Sequence, residues 1–210
     1  MYDFDCTLSP KDMQEYAFIP GLGMEADDFW KECQETMYRY KMDSILAYMW
    51  VMIRASRGKM LINHDTLRKL GESVQLFPGV KSWFPRVNSY AEKKGMKAEH
   101  YIISSGLKEI IEGTPIAGQF QEIYAASFCY DESGVPVWPA MAVNYTSKTQ
   151  FLFRINKGVP DVTDNRGLNE YMPEDRRRVP FRNMIYIGDG ADGCAMHEAD
   201  QGQRRAFNCG

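Results

Sequence analysis

The 210-residue sequence predicts an α/β fold: an open parallel sheet with a helical insertion standing over one edge. Three observations predict it. Three short apolar runs, reaching Asp3, Ser104 and Asp189, each break into a cluster of Asp, Ser or Gly. In open parallel sheets the strand ends share an edge where ligands bind, so these clusters are expected to be neighbours in space. The stretch between the first two, 11–97, instead has apolar residues at helical spacing. Finally, 44% hydrophobic and 25% charged residues is an ordinary globular composition, enough for one sizeable core with a smaller appended unit.

The elements follow in order. Tyr2 to Cys6 reads as the end of a strand running into a loop at Thr7, Ser9 and Pro10. With only Met1 and Tyr2 ahead of Asp3, this strand falls short of the length of about five residues usual for a buried parallel strand, and the chain reads as short at both ends. Asp27 to Arg57 repeats apolar residues at Phe29, Trp30, Cys33, Met37, Tyr40, Ile45, Tyr48, Met49 and Met52, near the 3.6-residue period, and Gly58 is the stop. Asp65 to Leu70 predicts a short helix capped by Asp65 or Thr66, and Val80 to Lys94 a longer one ended by Gly95. Tyr101 to Ile103 is a β-type run that breaks at Ser104-Ser105-Gly106 into a helix over Leu107 to Glu112. Ile123 to Tyr130 and Val135 to Val143 read as extended around a turn at Asp131-Glu132-Ser133-Gly134. Lys148 to Asn156 predicts a helix, Asn165 to Arg178 a loop or frayed helix, and Met184 to Ile187 a last short strand before Gly188-Asp189-Gly190.

The rest of the composition narrows the function. A net charge of -3 disfavours nucleic acid as a partner, because binding the phosphate backbone takes a basic excess. The longest apolar run, Ile45 to Ile53, is far below the roughly 20 residues of a membrane span, so no membrane partner is expected. Met1 to Pro10 has no basic residue and no signal-like apolar stretch. Five scattered cysteines without a Cys-x-x-Cys pair suggest neither zinc nor a disulfide framework and predict a reduced, cytoplasmic setting.

Asp3 and Asp5 at a strand end point the same way, and two close carboxylates repel unless a cation or proton is shared. Magnesium suits such an all-oxygen site; one carboxylate can then serve as nucleophile and the other as general acid and base. Taken alone, Asp-x-Asp more often just opens a turn. Ser104-Ser105-Gly106 offers a hydroxyl and backbone N–H groups for an anion, against a plain helix cap as the ordinary alternative. Lys148 could neutralise phosphoryl charge; taken alone, it would read as a solvated lysine. Asp189 is a candidate metal ligand, against an Asp-Gly turn. The aromatics and methionines of 11–97, among them Trp30, Tyr48 and Trp83, read mainly as helix packing. Arg54, Arg57 and Lys59 are basic candidates on what is by default a solvated face. His64, His100 and His197 take no catalytic role.

The order of these features carries more than any one of them. Asp3-Phe4-Asp5-Cys6-Thr7-Leu8 resembles the first motif of the haloacid dehalogenase (HAD) superfamily. Ile102-Ile103-Ser104-Ser105-Gly106 resembles its second, Lys148 its third, and Ile185-Tyr186-Ile187-Gly188-Asp189-Gly190 its fourth. The branch it is most similar to is the phosphoserine-phosphatase-like one. The resemblance implies a three-layer Rossmann-like parallel-sheet core, 1–10 with 98–210, and a helical cap, 11–97, inserted between motifs one and two. It further implies a magnesium-dependent phosphomonoester hydrolase of small phosphorylated metabolites. In that reading Asp3 becomes an aspartyl-phosphate and Asp5 is the acid and base. Lys148, Ser104, Ser105 and Gly106 bind phosphate, and Asp3, Asp5, Asp189 and Asp192 hold the metal. The second Asp of motif one argues for phosphate chemistry, since dehalogenases lack it.

The sequence departs from the pattern in two places. Cys6 stands where the family usually has Gly, and Asp192 follows Asp189 one residue sooner than usual, which leaves Asp192, Glu198 or no residue as the second acid of motif four. A phosphomutase of the same superfamily, or a truncated, weakly catalytic phospho-ligand binder, remain the alternatives. Substrate identity and oligomeric state are not legible.

Overall fold

Tyr2 is hydrogen-bonded on both sides into a sheet. The computed structural model describes residues 1–189, and in it the Tyr2 N–H donates to the Tyr101 carbonyl and the Tyr2 carbonyl accepts from the Ile103 N–H, both at 2.9 Å. On the other side the Asp3 N–H donates to Ile187 at 2.9 Å and the Ile187 N–H to Met1 at 3.0 Å. The short lead segment therefore lies parallel to both neighbours. Beyond it come β1 (Tyr101–Leu107), β2 (Glu122–Tyr130) and β3 (Pro136–Met141). β1 and β2 are parallel, with Tyr101 opposite Glu122 and Ile103 opposite Tyr124. β2 and β3 form an antiparallel hairpin around Asp131–Gly134, where the Asp131 carboxylate accepts from the Ser133 and Val135 N–H groups at 2.8 and 3.0 Å. Of the strand expected over Met184 to Ile187, only Ile187 pairs with Tyr2. Likewise β1 continues through Ser104-Ser105-Gly106 instead of breaking there.

The 11–97 stretch is helical, in more pieces than expected: α1 (Phe18–Gly21), α2 (Ala26–Tyr40), α3 (Ser44–Ser56), α4 (His64–Leu70) and α5 (Val80–Lys93). The single periodic run over Asp27 to Arg57 is interrupted because Lys41 turns left-handed and Asp43 caps a new helix. The Asp43 Oδ1 accepts from Ile45 and Leu46 N–H at 2.9 and 3.4 Å, satisfying N-terminal donors that have no helical partner. α4 is capped by Asn63, not Asp65 or Thr66: Asn63 and Thr66 exchange side-chain-to-backbone bonds, both at 2.8 Å, as a capping box. α6 (Lys108–Glu112) follows β1 and is tied to β2 by the buried Glu109, whose Oε1 accepts from Phe128 N and Tyr130 Oη. α7 (Lys148–Lys157) and α8 (Asn165–Asn169) are the last α-helices of the described residues.

Alternation along β1 assigns the two faces. Tyr101 and Ile103 join Tyr124, Phe151, Leu152 and Ile155 in a cluster with α7, where Tyr124 and Phe151 stack at 4.6 Å. Ile102 faces the other way, into a larger cluster with Phe18, Phe29, Met49, Met52 and Phe84 of the insertion, and Leu107 joins that cluster past a register irregularity between Ile103 and Leu107. Burial of both faces gives the three layers of an α/β sandwich. Two contacts fasten the insertion over the sheet edge: Asn144 Nδ2 donates to Asp43 Oδ2 at 2.9 Å, and Tyr48 Oη donates to the Ser105 carbonyl at 2.9 Å.

Candidate active site

The loop after Tyr2 is wound tightly. The Phe4 carbonyl accepts from the N–H groups of Thr7, Leu8 and Ser9 at 3.3, 2.8 and 3.1 Å, while the Phe4 ring is fully buried. Closing this turn puts Cys6 at φ 54°, the left-handed region that favours glycine. Phe4 points into the core, and Asp3 and Asp5 on either side of it both line one cavity of about 470 Å³. Asp3 is held at both oxygens. Oδ1 accepts from its neighbour's Phe4 N–H at 2.7 Å, and Oδ2 accepts from Lys148 Nζ at 2.6 Å.

Lys148 is wholly buried, contrary to the solvated reading. It lies on the same stripe of α7 as the buried Phe151, Leu152 and Ile155, at spacings of three, four and seven, so the stripe that anchors the helix carries its ammonium under Asp3. The helix start is preset by Asn144, whose Oδ1 accepts from the Ser147 N–H at 2.9 Å, while Ser147 Oγ accepts from the Asn144 N–H at 2.8 Å.

Asp5 Oδ1 accepts from the Met13 N–H at 2.9 Å. Gly106 is required beside it: a Cβ there would stand 2.7 Å from Asp5 Oδ2 and collide with the Met13 methyl. Ser104 Oγ accepts from the Gly106 N–H at 3.1 Å, and Ser105 Oγ is buried with no hydrogen-bond partner. Ser104, Ser105, Gly106 and the exposed Asp189 line the same cavity as Asp3 and Asp5, and Lys148 closes it from below through Asp3. Asp192 and its substitute Glu198 lie outside the described residues.

The cavity is electrostatically strained. Burial pushes the Asp5 carboxyl well above the ordinary carboxylate range, and the Asp12 and Asp3 charges push it the same way. Burial, then Glu15, Asp189 and Asp3, raise Asp12 to about 6. Burial also raises the Tyr48 phenol and the Cys6 thiol. Perturbed groups gathered in one cleft are a mark of functional sites. Among the described residues no group of three or more His, Cys, Asp or Glu side chains is placed to hold a metal ion by itself.

Sequence reasoning missed Asp12, Gln14 and Tyr145, which also line the cavity, and read Trp30 and Tyr48 mainly as packing residues, whereas both line it. The signal available for Tyr48 was its place on a helix buried nearly all round, where a hydroxyl needs a partner. Arg54 is not part of the cavity: it is paired with Glu32 and lies over Trp50. Arg57 and Lys59 are exposed and outside it. His100 is buried in a hydrogen-bond chain with Tyr2 and Asn88.

No protein-family model matches the sequence. The chain is 27% identical over 216 aligned positions to an uncharacterized protein of Borreliella burgdorferi, an alignment covering 90% of this chain and 73% of that one. Among solved structures it is similar to a HAD-family hydrolase from Salmonella enterica serovar Typhi, with a TM-score of 0.59 and 20% identity, over 94% of this chain and 57% of that one. It is similar also to a substrate-bound phosphoserine phosphatase, with a TM-score of 0.58 and 13% identity, over 94% and 80% of the two chains. The chain thus spans little more than half of the Salmonella hydrolase. At these identities the likeness shows the fold: the chain has the HAD, phosphoserine-phosphatase-like fold. No helix of the described residues is long and apolar enough to cross a membrane.

Proposed function

We propose that the protein is a magnesium-dependent phosphomonoester hydrolase working through an aspartyl-phosphate on Asp3. The observation that carries this reading is the 2.6 Å ion pair between Asp3 and the wholly buried Lys148, on the floor of a cavity that Asp5, Ser104, Ser105 and Asp189 also line. A carboxylate made rigid at both oxygens, beside a fixed positive charge, is positioned for attack on a phosphoryl group whose charge that lysine helps to neutralise.

The residues fit a magnesium ion. Four carboxylates, Asp3, Asp5, Asp12 and Asp189, line the cavity, and two of them are forced up by burial and mutual repulsion, which a divalent cation would relieve. The donors are all oxygens, as magnesium prefers, and it retains several waters where a protein shell is incomplete. Asp3, the Asp5 carbonyl and Asp189, with Asp192 as a further candidate, would hold it. When bound it would supply positive charge that offsets the negative charge developing on the phosphoryl group in the transition state.

In the first step an Asp3 oxygen forms a bond to phosphorus as the ester P–O bond breaks, and Asp5 gives its proton to the departing alkoxide. In the second, a water oxygen bonds to phosphorus, Asp5 takes the proton, and the Asp3–phosphorus bond breaks to release inorganic phosphate. A carboxyl whose pKa is raised by burial suits both roles. Ser104, Ser105 and the backbone at Gly106 would hold the phosphoryl oxygens, with the unpartnered Ser105 Oγ available as a donor.

Purified protein with magnesium should release phosphate from p-nitrophenyl phosphate, and chelation should stop it. Asp3→Asn should reduce turnover by about a thousandfold or more. Undiminished turnover in that variant would contradict the role of Asp3.

A further inference from the structure

Among its described residues, the cap side of the cavity carries no positive charge to pair with an anion. The described lining includes no Arg, Lys or His, and the buried Lys148 is already engaged with Asp3 below the floor. What the cap side offers instead is aromatic surface, a carboxylate and an acceptor. The polar handles of both large rings are used up: Trp30 Nε1 donates to Glu15 at 2.9 Å, and Tyr48 Oη donates to the Ser105 carbonyl at 2.9 Å. The rings, 6.4 Å apart between centroids and nearly perpendicular, are left to present π surface. Asp12 stands beside them on the lining. Gln14 is 2% exposed, lines the cavity, and its amide Oε1 makes no hydrogen bond. A buried acceptor without a donor is costly unless a ligand supplies one.

We propose that the leaving group of the substrate is a small alcohol bearing a protonated amine and no carboxylate. This rests on the phosphomonoesterase reading above and names its substrate class. An ammonium head in this position would sit against the Trp30 and Tyr48 rings, pair with Asp12 and donate to Gln14 Oε1. A phosphorylated amino acid would bring a carboxylate into the same acidic, aromatic space, where the described lining holds no cation to receive it, which is a repulsive selection as much as an attractive one. The overall reaction remains phosphomonoester plus water to amino alcohol plus inorganic phosphate.

The test uses the full chain with magnesium and three esters of similar size: O-phosphoethanolamine, propyl phosphate, which replaces the ammonium by a methyl group, and O-phosphoserine, which adds a carboxylate. p-Nitrophenyl phosphate reports the core chemistry. The expected result is a kcat/KM for O-phosphoethanolamine about tenfold or more above the other two, with Asp12→Asn and Gln14→Leu each moving the ethanolamine-to-propyl ratio toward one. If p-nitrophenyl phosphate is turned over but propyl phosphate or O-phosphoserine matches or exceeds O-phosphoethanolamine, the substrate class is wrong and the hydrolase reading survives. If nothing is hydrolysed, the hydrolase reading fails, and calorimetry with the same three esters still decides the preference. Tighter binding of O-phosphoethanolamine supports it, and equal or weaker binding overturns it.

Discussion

At the scale of single residues, two backbone and charge arrangements define the site, and each can be tested alone. Cys6 holds a left-handed conformation at an exposed position, so its side chain packs little while its backbone closes the turn that aims Asp3 and Asp5. Cys6→Gly should keep full stability, whereas the β-branched Cys6→Val should lose about 1–2 kcal/mol in denaturant unfolding. Equal stability for the two would mean that the turn is not held as described. Lys148 is the second case. Removing a buried partner strands the Asp3 charge, so Lys148→Ala should lose about 3 kcal/mol. Added magnesium should recover part of that loss, because the cation would compensate the same carboxylate. A magnesium response no larger than the wild type's would argue that Asp3 does not reach the metal.

At the scale of elements, the periodicity of the sequence located the helices well but not their joints. The Asp27 to Arg57 run reads as one helix because apolar spacing continues across it; the break depends on Lys41 turning left-handed and Asp43 capping, which no repeat reveals. The last strand is reduced to Ile187 because sheet pairing depends on neighbours and not on the apolar run itself. The three polar clusters were legible as local runs, and so was their convergence, although the middle one lies inside β1 and not at its end. Lys148 was half legible. Its type alone suggests solvent and the order of the motifs marked it; its burial follows from the stripe it shares with Phe151, Leu152 and Ile155. Asp12 and Gln14 were not legible, since nothing local marks a residue that a helical insertion folds back over a distant sheet edge. The joint at Asp43 carries a prediction of its own. Asp43 caps α3 and also accepts from Asn144, next to the start of α7. Asp43→Ala should cost about 1 kcal/mol or slightly more. A double-mutant cycle with Asn144→Ala should show coupling, measured by thermal unfolding; strict additivity would rule out the bond between insertion and core.

At the scale of the whole molecule, a hydrogen-bond chain binds the insertion to the strand that carries Asp3. Trp83 Nε1 donates to Tyr2 Oη at 2.9 Å, leaving Tyr2 to donate to His100 Nδ1 at 3.0 Å and His100 Nε2 to donate to Asn88 at 2.9 Å. This assigns the neutral tautomer with the proton on Nε2. Burial holds the His100 pKa below its ordinary 6.5. The unfolded chain therefore takes up a proton more readily than the folded one. The contribution of this group is complete above 6.5 and is lost as the pH falls from 6.5 toward the folded value. Thermal stability should decline over that window, and His100→Gln should flatten the decline there. The Glu99–Arg178 pair responds lower. Burial pushes Glu99 up, but hydrogen bonds from Tyr101 and Arg178 outweigh it and hold its pKa below 4.5, so its contribution fades only below that value.

The central claim is that Asp3 carries the phosphoryl group during turnover. Its most direct measurement is acid quenching of the magnesium-loaded protein during hydrolysis of a phosphomonoester, followed by peptide mass spectrometry. The account predicts an acid-trapped, hydroxylamine-labile phosphoryl adduct on the peptide containing Asp3, absent from Asp3→Asn. Steady turnover with no adduct on that peptide, or an adduct elsewhere that survives in Asp3→Asn, would contradict it.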